Sequence, residues 1–367
     1  MKVAVDCYEV TGQSKGVGRV IQNLLLSLCQ EEKEHIFLAY SREKNKEFSK
    51  CPNIKQSCFP RDKGYFRWQN GPLSKELKKE KPDLFIAPNY TLPLFIRSKS
   101  ILFEHDVSFA SHPEWYSKKE VLKRKYLVKR SLQKASLVIT LSEFSKHEIT
   151  SHFLVSPETI KVMHLGVENK FRAAESTEVL SWKRRNGLEG KQIVGYLGSL
   201  FNRRNIPLLV ESVRLLRREF PDVVLSIVGE DLSYPPQSLN QILEEKWIFW
   251  EKRIPESELP LYLSSLDVFA YLSEYEGFGL PPLEALACGT VPVLFKKGAL
   301  EEVYSGISVM VDRLETDLVK KALRKALMDQ SRVDSIMNRF ELEKDHFSWK
   351  RVAREFKTYM QEVACED

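Results

Sequence analysis

Ser273-Glu-Tyr-Glu-Gly-Phe-Gly-Leu-Pro-Pro-Leu-Glu-Ala-Leu-Ala-Cys-Gly-Thr-Val-Pro-Val293 sets two carboxylates, Glu276 and Glu284, eight residues apart. Between them lie a glycine-rich loop and the start of a helix. Pro281 and Pro282 fit a first helical turn, where a missing N–H leaves nothing unsatisfied. Gly289 offers the left-handed residue that ends the helix, and the apolar run Val291–Phe295 follows it. Gly277 and Gly279 stand just ahead of the helix, where unobstructed N–H groups and the positive end of its dipole favour an anion. The segment predicts an anion cradle with one carboxylate at its lip and a second inside the first helical turns. Two glutamates at this spacing alone would suit a loop acid followed by a helix-surface acid equally well. Gly-Phe-Gly, Pro-Pro and Ala-Cys-Gly-Thr make the pattern specific.

Outward from this segment, short β-rich runs alternate with longer amphipathic ones. Strands are expected at Lys2–Asp6, Ile36–Tyr40, Asp83–Ala87, Ile101–Glu104, Leu137–Thr140 and Lys161–His164. Further strands are expected at Ile193–Leu197, Val223–Val228, Trp247–Trp250, Val268–Tyr271, Val291–Phe295 and Ser308–Val311. Strands that are apolar nearly throughout and alternate with helices argue for parallel sheets covered on both faces. A dozen strands exceed what one open sheet usually holds. The expectation is an α/β protein of two doubly wound, Rossmann-like domains facing a central cleft, where the carboxyl ends of both sets of strands would meet a ligand. The domains are predicted over 1–170 and 171–348, with a C-terminal helix in 349–367 and a seam in the polar stretch Ala173–Glu178.

The chain has 367 residues, with 43% hydrophobic and 29% charged, which is globular usage. Its apolar runs are far short of the eighteen or so residues that span a bilayer, and the first residues lack the apolar core of a signal peptide. Six cysteines at 7, 29, 51, 58, 288 and 365 form no CxxC pair and meet no histidine at metal-ligand spacing. They read as reduced thiols of a cytoplasmic protein, and no metal site is expected. The net charge of +6 is unevenly divided. Residues 1–169 carry about +9 and the rest about −3, so the first half is the side that would meet an anionic surface. The densest basic stretch is 118–134. Val121, Val128 and Leu132 within it, and Ala135 just past it, fall at helical spacing, with lysines and arginines round the remainder. It suits either a helix lying on an anionic membrane or a solvated outer face. No recognition motif or stacking platform accompanies the basic residues, so nucleic acid is not an expected partner.

The segment Ser273–Val293 resembles the Glu-x7-Glu motif of the retaining nucleotide-sugar glycosyltransferases of family 4, which have the GT-B fold. Other segments resemble that family in the expected order. Lys15-Gly-Val-Gly-Arg19 lacks the third glycine of a dinucleotide fingerprint, but it resembles the Thr-Gly-x-Gly-Arg opening of many family 4 mannosyltransferases. The resemblance gives Gly16 and Gly18 a place beside the donor. His105-Asp106, with Pro113-Glu114 after it, resembles the family's His-Asp, whose histidine contacts the transferred sugar. Gly198-Ser-Leu-Phe-Asn-Arg-Arg-Asn-Ile-Pro207 is similar to the family's diphosphate clamp, Gly-x(3–5)-Arg-Lys-Asn. Arg204 stands where the family has lysine, and Ser199 where many members have a basic residue. Asn205 is expected to cap the helix that follows. Pro82-Asp-Leu-Phe-Ile-Ala-Pro-Asn-Tyr90, Leu141–Ser145 and His164–Glu168 are weaker matches, and Asn89 and Tyr90 would face an acceptor.

The resemblance implies acceptor binding by the basic first domain and donor binding by the second, with the last helix commonly crossing back onto the first. Glu276, Arg204 and His105 would carry catalysis. Arg203, Gly277, Phe278, Gly279, Leu280 and Glu284 would hold the donor with Gly16 and Gly18, while Asp106 joins Asn89 and Tyr90 toward the acceptor. Glu276 would bind donor-sugar hydroxyls and Glu284 the nucleotide ribose. Stabilising the departing diphosphate is the main electrostatic task, and the family proposal of a same-face reaction needs no protein base. The expected activity is metal-independent retaining transfer of mannose from GDP-mannose, a substrate rather than a cofactor, to a glycan or lipid-linked acceptor of surface polysaccharide. The expected location is the cytoplasm, in peripheral contact with the inner face of an anionic membrane. Alternatives are another donor such as a UDP-sugar, a nucleotide-dependent oxidoreductase, or a non-catalytic assembly partner keeping the fold.

Overall fold

Val3, Ala4 and Val5 in the first strand are wholly buried, with no alternation of polar residues, because both faces of the sheet are covered. The same holds for the strands beside it. In the computed structural model, which describes residues 1–11, 16–59, 64–237 and 239–365 (the Asn240 and Gln241 side chains excepted), this sheet has seven parallel strands. They are β1 (Lys2–Asp6), β2 (Ile36–Ser41), β3 (Ile54–Cys58), β4 (Leu84–Ala87), β5 (Lys99–Phe103), β6 (Leu137–Thr140) and β7 (Ile160–Val162), in the order 3-2-1-4-5-6-7. A second sheet is formed by β8 (Gln192–Leu197), β9 (Val223–Val228), β10 (Ile248–Glu251), β11 (Val268–Tyr271), β12 (Pro292–Phe295) and β13 (Val309–Val311), in the order 10-9-8-11-12-13. Each sheet is therefore doubly wound, and the order reverses at β1/β4 in one and at β8/β11 in the other. Ligands of open α/β sheets bind outside the carboxyl ends of the strands at such a switch point.

The strand absent from the sequence reading is β3. It lies at the sheet edge and pairs only with β2. Of its residues only Ile54 is buried, so Ile-Lys-Gln-Ser-Cys shows no apolar run to detect.

Contacts divide the chain into two units, residues 1–113, 117–166 and 346–367 in one, 114–116 and 167–345 in the other. Ala173–Glu178 leads into a helix, Ser176–Arg185, within the second unit. In the first unit, α1 (Val17–Glu31) lays Val20, Ile21, Leu24, Leu25 and Leu28 inward. The C-terminal helix, Trp349–Cys365, packs on it, burying Val352, Phe356 and Met360. Arg354 Nε reaches Glu31 at 3.0 Å, and Lys357 reaches Glu32. Gly166 is fixed by this helix, since a Cβ there would stand 2.6 Å from the backbone N of Trp349.

The basic stretch forms α2 (Lys118–Leu132), capped by Ser117, whose Oγ accepts from Glu120 N at 3.3 Å. It buries Val121, Val128 and Leu132, whereas Ala135 lies beyond its end and is half-buried. Its outer face carries Leu122 and Tyr126, 71% and 69% exposed, among Lys118, Lys125 and Lys129. No helix among the described residues is long and apolar enough to cross a membrane.

Candidate active site

In the second unit the switch point is built around a buried ion pair. β8 runs out at Gly198, whose φ of 139° and missing side chain leave room for an arginine: a Cβ there would lie 2.5 Å from Arg204 Nη1. The chain then makes one turn of 3₁₀ helix at Asn202–Arg204 and passes through Asn205 into α3 (Ile206–Arg217), with Pro207 in its first turn. Arg204 folds back over the strand ends. Its Nη1 donates to Ser199 O at 2.9 Å and lies 3.4 Å from Tyr196 Oη, while its Nε donates to Glu276 Oε1 at 3.1 Å. The Arg204 and Glu276 side chains are only 11% and 12% exposed.

Glu276 arrives from the next strand. β11 ends at Tyr271, and both its hydroxyl, at 3.0 Å, and Ser273 Oγ, at 2.8 Å, donate to the same Oε1 that receives Arg204. None of these bonds uses Oε2. Burial pushes the Tyr271 hydroxyl well above the ordinary phenol range, so it stays a donor. Burial works against the charge on Arg204, but Glu276 and the Tyr196 and Tyr271 hydroxyls outweigh it and hold the guanidinium ionised.

Asn205 does not cap α3. Its backbone is left-handed (φ 54°), and its amide instead donates to Leu272 O at 3.0 Å and Glu274 Oε1 at 3.1 Å, tying the arginine loop to the glutamate loop. Asparagine tolerates that backbone better than most residues. Arg203 lies with its guanidinium 4.6 Å from the Phe201 ring centroid, and its buried Nε meets no acceptor.

Gly279 (φ 92°) opens α4 (Leu280–Ala287), and Tyr304 Oη donates to its carbonyl. A Cβ on Gly279 would press to 2.8 Å against Leu300. Pro281 sits in the first turn and Gly289 (φ 87°) follows the helix end, as the spacing predicts. Glu284 is buried in α4. The Phe278 ring is buried near Tyr304, with centroids 6.5 Å apart, so that side chain serves the core and the backbone amides of 277–280 are what the loop can offer an anion.

In the first unit the predicted residues gather at the carboxyl ends of β1, β4 and β5. Gly16 (φ 44°) precedes α1 and Gly18 is buried in its first turn, while Lys15 of the same motif lies outside the described residues. His105 Nε2 is 2.8 Å from Pro88 O, and a carbonyl can only accept, so Nε2 carries the hydrogen. Burial lowers the ring below the usual imidazole range, which leaves Nδ1 as an acceptor. Toward a hydroxyl the ring would therefore act as an acceptor rather than a donor. Asp106 Oδ1 receives Ser108 N at 2.9 Å and Ser108 Oγ at 2.5 Å, closing the turn after β5. Tyr90 stands at φ 62°, its ring edge-on to His105 at 5.3 Å, and backbone strain of this kind clusters at functional sites.

Asp6, Tyr65 and Gln69 complete this edge and were not assigned from the sequence. Tyr65 Oη donates to Asp6 Oδ2 at 2.7 Å, and Gln69 Nε2 donates to Tyr65 Oη at 2.9 Å and Thr91 O at 2.6 Å. The helix bearing them contains a π-helical turn at Gln69–Leu73, a distortion frequent at functional sites. Burial raises the Asp6 carboxyl from its ordinary 3.8 to about 7, against the Tyr8 N–H and Tyr65 hydroxyl that lower it. In the window between those values the folded state holds a proton that the unfolded chain has released, so stability falls as pH rises through it. Linkage makes this about 4 kcal/mol. Asp6→Asn should flatten that part of the pH dependence in urea unfolding between about pH 4 and 8; parallel profiles for variant and wild type would refute it.

The model of Glycosyltransferase Family 4 matches residues 14–171, and that of Glycosyl transferases group 1 matches residues 179–341. The chain belongs to glycosyltransferase family 4. This family 4 glycosyltransferase is 27% identical over 278 residues to the O-antigen chain mannosyltransferase B of Escherichia coli, covering 75% of its own chain and 73% of that relative. It is 29% identical over 210 residues, 54% of each chain, to the GDP-mannose-dependent alpha-(1-6)-phosphatidylinositol monomannoside mannosyltransferase of Mycolicibacterium smegmatis. Anabaena HepE in complex with UDP-glucose superposes with a TM-score of 0.77 at 18% identity, over 99% of this glycosyltransferase and all of HepE, which shows the GT-B fold.

Proposed function

We propose that this glycosyltransferase transfers mannose from GDP-mannose, with retention and without a metal ion, to a glycan or lipid-linked acceptor of surface polysaccharide. The observation that carries the reading is the buried Arg204–Glu276 pair beside the amides of 277–280. A departing diphosphate needs fixed positive charge that does not reorganise as the bond breaks. Arg204 is held rigidly by Ser199, Tyr196 and Glu276. Arg203 Nε, buried without an acceptor, supplies a second donor, and the amides before α4 supply more. Glu276 Oε1 is occupied by three donors, which orients Oε2 toward hydroxyls of the donor sugar. Glu284 is assigned to the ribose, His105 Nδ1 to a sugar hydroxyl, and the acceptor proton to the leaving phosphate.

Mannose from GDP-mannose rests on the named activities of the two mannosyltransferase relatives. A UDP-sugar is the second reading, favoured by the fold shared with HepE, whose structure holds UDP-glucose. Hydrolysis of a panel of GDP- and UDP-sugars, with and without EDTA, tests base, sugar and metal together. GDP-mannose hydrolysed undiminished in EDTA is the expected result, and turnover of UDP-sugars alone would overturn the donor. Peripheral contact with an anionic membrane is supported by exposed Leu122 and Tyr126 among the lysines of α2. Reversing the charge of Lys118, Lys125 and Lys129 should abolish sedimentation with phosphatidylglycerol vesicles. Unchanged sedimentation would leave α2 a solvated face.

A further inference from the structure

A cavity of about 430 Å³ opens at the switch point of the first sheet, lined among others by Tyr65, Phe66, Arg67, Asn89, Thr91 and Lys123. We propose that it is an acceptor subsite for a phosphate-bearing saccharide, with Arg67 and Lys123 reading the phosphate and Phe66 carrying one face of the sugar. The proposal rests on the glycosyltransferase reading above and adds the chemical class of the acceptor and the residues that select it.

Position comes first. Asn89 follows β4 and Asp6 ends β1, so the cavity lies where the strand order of the first sheet reverses. Its volume falls in the range that encloses small ligands. The lining then specifies the ligand. Arg67 and Lys123 are both exposed and neither has a carboxylate within ion-pair distance among the described residues. Lys123 contrasts with the next residue on α2, since Arg124 is neutralised by Glu120 at 2.6 Å. Lys123 leans instead over the Phe66 ring, 5.9 Å from its centroid.

Asn89 is only 8% exposed, and its side chain lies against Asp6 and Tyr65, helping to lower both groups against the effect of burial. The other polar groups are already engaged: Tyr65 Oη donates to Asp6, and Thr91 Oγ1 to Gln69 Oε1 at 3.2 Å. Among the described residues the cavity therefore presents two cations without carboxylate partners and no exposed carboxylate in its lining. A neutral sugar would call for mixed donors and acceptors. This set calls for an oxygen-rich anion, and the exposed Phe66 ring supplies an apolar face for sugar C–H groups. The donor diphosphate is assigned cations of its own, Arg203 and Arg204 of the second unit.

The test uses the full-length protein and two acceptor probes, octyl α-mannosyl diphosphate and neutral octyl α-mannoside. Calorimetry without donor should show the diphosphate binding, with affinity falling at least tenfold in Arg67→Ala and in Lys123→Ala and largely restored in Arg67→Lys. In transfer assays the same variants should raise the KM for the diphosphate at least tenfold while leaving kcat and donor hydrolysis without acceptor within twofold. Equal losses on octyl mannoside, or unchanged affinity for the diphosphate, would overturn the proposal. Mannose 1-phosphate and a long-chain diphosphate in vesicles form two further arms. A soluble phosphosugar source predicts equal Arg67 dependence in both, and a lipid headgroup predicts strong binding in the second alone. If no nucleotide sugar is hydrolysed while Arg67-dependent diphosphate binding persists, the donor reading fails and the anion pocket stands.

Discussion

Glu276→Gln is expected to slow sugar transfer by two to three orders of magnitude while leaving the second unit folded. Glutamine keeps a carbonyl oxygen for Arg204 Nε, Tyr271 Oη and Ser273 Oγ, the three donors that now converge on Oε1. It turns Oε2 from a charged acceptor into an amide donor. The sugar then loses a charge-assisted bond while its anomeric carbon becomes positive, and one such preorganised contact contributes about 3–4 kcal/mol, or 10²–10³ in rate. Glu276→Ala is a poorer instrument. It strands a buried guanidinium, and breaking a buried pair from one side costs about 3–5 kcal/mol of stability. Initial rates with a radiolabelled donor, read beside the urea midpoint, separate chemistry from folding. A glutamine variant turning over at the wild-type rate would remove Glu276 from the site.

Arg204→Ala should weaken the binding of free nucleoside diphosphate by about 30- to 5000-fold, the range for truncating a buried, hydrogen-bonded charge. The guanidinium is fixed on three sides before any ligand arrives, by Ser199 O, Tyr196 Oη and Glu276 Oε1, so little ordering entropy is lost on binding. Arg204→Lys, although lysine is the residue of the family pattern, should recover only part of the affinity. An ammonium replaces the charge but cannot bond Ser199 O and Glu276 together in one plane. Calorimetry with GDP and UDP reads both variants, and an affinity unchanged in Arg204→Ala would take the residue out of the diphosphate clamp.

The parts of this enzyme legible in its sequence are those whose physics is local. Gly279, Pro281 and Gly289 announce α4 because a left-handed residue, a first-turn proline and a C-terminal glycine act within one helix. Apolar runs announce twelve of the thirteen strands among the described residues, and β3 escaped because an edge strand buries one side chain in five. The Arg204–Glu276 bond was not legible. Each residue could be assigned to a ligand separately, but their union depends on β8 and β11 lying side by side. Asn205 was misread for a similar reason: its amide satisfies Leu272 and Glu274 on the neighbouring loop rather than its own helix. Arg67, Lys123 and Asn89 share a cavity with no common motif, brought together only by the tertiary fold.

Because residues from 346 onward complete the first unit, the order of synthesis and the order of completion differ in this enzyme. Apart from residues 114–116, the second unit is contiguous from Val167 to Asp345 and can close while its chain is still emerging from the ribosome. The first unit, although made earlier, must wait with α1 uncovered until Phe356 and Met360 arrive to seal it. A nascent chain stalled before His346 would therefore present that apolar face to chaperones and proteases, and the helix Trp349–Cys365 acts as the quality seal on the first unit.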